Sequence, residues 1–186
     1  MAGEQDPRAP MASAPMKYRE DGAVDWGNMW DSFCVLAQEG GPPHRATMLE
    51  PQSASDVTSP AYQAAVTEII RGIAEVSGLQ ATPDQAGWIA IACLSPGQAR
   101  WLAGAIAEEN VRAQAEGNLL RVPVGESFTL KGEIKNVITA VAKTTHYWDT
   151  HLPAEVKATL AIQDQAGRLR ERVTGWFKKP RVGETG

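Results

Sequence analysis

The chain has 186 residues, 43% of them apolar and 22% charged, with a net charge of −4 and an isoelectric point near 5.4. That length holds one domain with its own core plus tails, and the mild negative charge supplies no field that would draw it to nucleic acid or anionic lipid. No apolar run approaches the roughly 20 residues that span a bilayer, and the N-terminus lacks the apolar stretch of a secretory signal, so the expectation is a cytoplasmic protein without a membrane span.

Residues 1–24 carry Pro7, Pro10 and Pro15 among small residues and scattered charges, a composition that cannot bury enough apolar surface to order itself. They are read as a mobile tail, residues 25–177 as a single domain and 178–186 as a second tail. In "DWGNMWDSFCVLAQEGG", Trp26, Met29, Trp30, Phe33 and Leu36 recur at three- and four-residue steps, which predicts a short amphipathic helix capped by Asp25 and stopped at Gly40-Gly41. "PPHRATMLEP" follows as an extended arm in which "RATMLE" is a candidate strand.

The strongest predicted helix runs from Ser59, with Pro60 at its first position and Gly78 at its end. Its apolar stripe is Tyr62, Val66, Ile69, Ile70, Ile73 and Val76. "GWIAIACL" (87–94) has the profile of a buried strand. A helix then opens at Ser95-Pro96, with Trp101, Leu102, Ile106 and Val111 turned inward. "NLLRVPVG" (118–125) reads as a second strand whose Pro123 marks an edge or an end. A long helix starts near Leu130 and, after Pro153, another follows, softened at Gly167.

Alternation of this kind predicts an α/β layer with mainly parallel strands and right-handed crossovers. With two or three strands visible between four long helices, a compact α+β unit fits almost equally.

Two turns then attract attention, because each leaves a strand and enters a helix. "CLSPGQAR" offers Ser95, Gly97 and Gln98, and "VPVGESFTLK" offers Gly125, Ser127, Thr129 and Lys131. In a parallel sheet both turns share the carboxyl edge, where ligands gather, and helix N-termini there favour anions. His44 and Arg45 on the arm are added to this site as an imidazole and a guanidinium for an anionic or carboxylate ligand. Neither turn matches a nucleotide-binding glycine motif, and no motif identifies a cofactor or a catalytic triad. Glu108, Glu109 and Glu133 qualify as acid/base carboxylates only generically.

"KTTHYWDTHLP" (143–153) places His146 beside a Tyr-Trp pair, with His151 five residues on. On a regular helix that spacing separates them by about 140°, too far to chelate one ion, so no metal site is expected. They are read as the end of a packed helix whose core stripe is Ile134, Val137, Ile138, Val141, Thr145, Trp148 and Leu152. Cys34 and Cys93 sit in apolar surroundings outside any paired motif and are expected as buried small hydrophobes.

Two functions remain. In the first, the chain is a non-catalytic accessory, assembly or regulatory protein that binds a protein partner or a further copy of itself, with Trp26, Trp30, Trp176 and Phe177 as aromatic anchors. In the second, it is an anion-binding protein or an enzyme whose pocket is lined by His44, Arg45, Ser95, Gln98, Ser127 and Thr129.

Overall fold

The structure, a computed structural model, describes residues 16–31 and 45–163. Cys34, His44, Trp176 and Phe177 lie outside the described residues, as does the side chain of Trp30.

Helix α1 (Trp26–Asp31) begins where Asp25 accepts the N–H of Asn28 at 3.1 Å, the cap its sequence predicts. Just before it, in the stretch composition assigns to a tail, Tyr18 and Val24 form an antiparallel bridge and Val24 is buried. Helix α2 (Pro60–Ser77) is capped as expected. The Ser59 hydroxyl accepts the N–H of Tyr62 at 3.2 Å, and Gly78 takes the left-handed conformation with φ 68° and donates its N–H to Ala74. Trp26 is only 1% exposed, and its indole N–H donates to Glu68 of α2 at 2.8 Å. Arg71 braces the same carboxylate, while Arg19 reaches Glu75 at 2.8 Å. Residues 17–31 are thereby fastened along α2.

The sheet has four strands, β1 (Ala81–Pro83), β2 (Trp88–Ala92), β3 (Gln114–Glu116) and β4 (Leu119–Pro123), in the order β1-β2-β4-β3. Every neighbouring pair is antiparallel. The parallel arrangement predicted from alternation is therefore corrected, and the compact α+β alternative is the one the chain adopts. The physical reason lies in two strands of three residues, "ATP" and "QAE". Each pairs through a tight turn with the longer strand that follows it, so β2 and β4 become halves of two hairpins. "RATMLE" contributes no strand; Leu49 makes one parallel bridge to Val111.

Between β2 and β3 runs α3 (Pro96–Glu108), and after β4 a π-helical turn (Leu130–Ile134) leads into α4 (Lys135–Thr150). A further helix, α5, covers 154–163 among the described residues. Ile89 and Ile91 stand opposite Val122 and Leu120, and all four are fully buried on one sheet face. α2 packs on β1, α3 packs on β3 and β4, and α4 touches both helices. The apolar stripe predicted for α4 is buried from Ile134 to Trp148 and joins one core cluster with the sheet. Each fully buried Ile or Leu in that cluster contributes about 1.5–3 kcal/mol.

Candidate functional site

The turn leaving β4 is built against the segment 51–55. The N–H of Gln52 donates to the carbonyl of Val124 at 3.2 Å, and Val124 donates in turn to Gly87 at 2.8 Å. The Gln52 carboxamide then holds Ser127 twice: Oε1 accepts the backbone N–H at 3.1 Å, and Nε2 donates to the hydroxyl. One turn along, the Ser55 hydroxyl accepts the N–H of Glu126 at 3.2 Å. Two glycines permit this approach. Gly87 has φ +86°, and a Cβ there would lie 2.8 Å from the backbone nitrogen of Ser53. At Gly125 a Cβ would meet the Gln52 side chain. The result is a shallow cleft of about 620 Å³ lined by 51–55 with Glu126 and Ser127.

Beside it stands a charged cluster. Glu133, on the π-helical turn, accepts the N–H of Thr129 at 2.9 Å and its hydroxyl at 3.0 Å. Arg45 approaches the same carboxylate at 3.9 Å. Burial pushes the Glu133 carboxyl up, but the hydrogen bonds from Thr129, its own N–H and the Arg45 charge outweigh that and hold it below the usual carboxylate range. Arg45 is anchored further by Asn110, whose amide donates to the Arg45 carbonyl at 2.6 Å. Of the residues proposed from sequence, Arg45 and Thr129 thus share Glu133, while Ser127, two residues before Thr129, is held by Gln52.

Ser95 and Gln98 do not join them. The register sets Ala92 opposite Leu119 and Trp88 opposite Pro123. The turn after β2 and the turn after β4 therefore sit at opposite ends of the sheet, about 16 Å apart along a five-residue strand. The shared rim expected of a parallel sheet is absent because the strands run antiparallel. Within its own turn, the Ser95 hydroxyl accepts the N–H of Gln98 at 3.1 Å, while Gln98 accepts the N–H of Leu94 at 2.7 Å and is buried. Their polar groups close the cap of α3.

That second end of the sheet has a different character. Leu94 is 86% exposed, although it follows directly on a buried strand. Next to it, Cys93 donates to the carbonyl of Asn118 at 2.9 Å, and Leu119, the first residue of β4, is 36% exposed. α3 and α4 run antiparallel, with Glu109 against Lys143 and Trp101 against Tyr147, so α4 finishes at this same end. Trp101 stacks on Tyr147 with centroids 5.9 Å apart and an interplanar angle of 11°, and it also leans on Trp148 at 5.4 Å. Tyr147 is 45% exposed. Lys157 of α5 reaches over the Trp148 ring at 5.6 Å.

The histidines belong to this helix end, as the sequence implies. His151 caps α4, its ring 5.5 Å from that of Tyr147 and 5.4 Å from that of His146. His146 is half-buried. Among the described residues no group of three or more His, Cys, Asp or Glu side chains is arranged to hold a metal ion. Nor is any described helix long and apolar enough to cross a membrane.

Sequence reasoning assigns Trp26 to an interface, whereas it is a core residue. It misses Leu94, Leu119 and Gln52. Leu94 carries one usable signal: it immediately precedes the cap Ser95, at the position where the chain has left the sheet and not yet entered the helix. Comparison with protein-family models, curated proteins and solved structures finds no match to the chain.

Proposed function

We propose that this chain is a non-catalytic accessory or assembly protein that acts by binding a protein partner at the apolar end of its sheet. One observation carries the reading. Leu94 and Leu119 are both exposed at one end of the sheet, where β2 ends and β4 begins, and α3 starts and α4 finishes at that same end. Exposed apolar side chains at one end of a sheet are what interfaces collect. Isolated exposed leucines are commonplace; these two count because both fall at the same end of the sheet.

The test is a comparison of the unaltered chain with its Leu94→Asp variant. The Leu94 side chain is solvent-exposed and its backbone bond to Gln98 survives the change, so folding is retained. A protein that co-purifies with the unaltered chain and is lost with the variant supports the reading. Retention of every bound protein by the variant overturns it.

The cleft favours a second reading, a small-molecule-binding protein or enzyme with its site at the 125–133 turn. Its support is that Gln52 holds Ser127 in the cleft while Glu133, on the turn that follows, draws in Thr129 and Arg45. A thermal-shift series with anionic metabolites separates the two, because a ligand at a hundred times its Kd adds about 2.7 kcal/mol of stability. A shift that Arg45→Ala abolishes supports the cleft; no shift at millimolar concentrations removes it.

A further inference from the structure

We draw no further inference here: the strongest candidate, the exposed row of Glu116, Leu119 and Ala92 across β3, β4 and β2 on the sheet face away from Ile89 and Leu120, carries nothing because nothing in the structure shows what covers it.

Discussion

Gly72 of α2 lies directly against Ile138 of α4, so close that a Cβ on Gly72 would sit 2.8 Å from Ile138 Cγ1. Ile138 is fully buried and branched at Cβ, so it cannot swing aside cheaply. α2 and α4 meet along this contact, and the spacing between them is set by the missing methyl group. Gly72→Ala gains up to about 1 kcal/mol of helix propensity but forces overpacking that costs about 1–3 kcal/mol. Urea titration should therefore find the variant about 1–2 kcal/mol less stable. Adding Ile138→Val should recover part of that loss; a stabilised single variant would show that the helices are not held at this distance.

A second glycine performs the same service at the candidate site. Gly125 leaves room for the Gln52 side chain, which a Cβ would meet at 2.6 Å from Cγ. Gly125→Ala should displace the carboxamide that grips Ser127 and lower stability by about 1–2 kcal/mol. Gln52→Ala alone should cost about 1 kcal/mol for its lost hydrogen bonds. Because both changes act on one contact, the double variant should be less destabilised than the sum of the singles. Additive losses in a double-mutant cycle would show that Gln52 and Gly125 are independent.

Much of this fold is legible from periodicity and caps. Ser59, Pro60 and Gly78 bound α2, Ser95 opens α3, and the stripe from Ile134 to Trp148 predicts the buried face of α4. What periodicity cannot supply is strand direction. β1 and β3 have three residues each, too few for alternation to register, and their omission turns two hairpins into two isolated ribbons. One local clue was present: Gly117-Asn118 is a two-residue turn with Gly117 at φ +57°, a hairpin signature. The site follows the same logic. Ser127 and Thr129 lie on the turn leaving β4, where Glu133 also draws in Arg45, and Ser95 and Gln98 are lost to it because antiparallel pairing sends their turn to the other end of the sheet. Gln52, which joins the group to the arm, has no motif at all; only the missing side chain of Gly125 reveals its place.

Cys93 offers a chemical test of burial. Burial pushes its thiol up to about 11, so at pH 8 only about one molecule in a thousand carries the thiolate that reacts. In a Cys34→Ser background the folded protein should leave an aromatic disulfide reagent unreacted for hours, then release one equivalent of thiol on unfolding in guanidinium. Rapid reaction in the folded state would place Cys93 at the surface and contradict its role as a core hydrophobe.

Arg121 links three elements on the sheet face away from Ile89 and Leu120. It pairs with Asp84 of the β1–β2 turn and, at 2.7 Å, with Glu116 of β3, standing opposite Ala90 in the register. The hydrogen bond from Arg121, helped by the N–H of Gln85 and the Arg121 charge, holds the Asp84 carboxyl below the usual carboxylate range despite some desolvation. A carboxyl whose folded value is depressed binds fewer protons folded than unfolded. Its contribution is therefore complete above the unfolded value and fades as pH falls through the folded one. For Asp84 that window opens at about pH 4, the ordinary aspartate value, and lies on its acid side. Arg121→Met should cost about 0.5–1 kcal/mol at neutral pH and return Asp84 toward its ordinary value, so stability should fall less steeply with acid across that window. Thermal midpoints of the unaltered chain and the variant should accordingly converge as pH drops below about 4. Parallel curves would mean that Arg121 stabilises the sheet by covering Ala90 with its alkyl stem and not through the charge of Asp84.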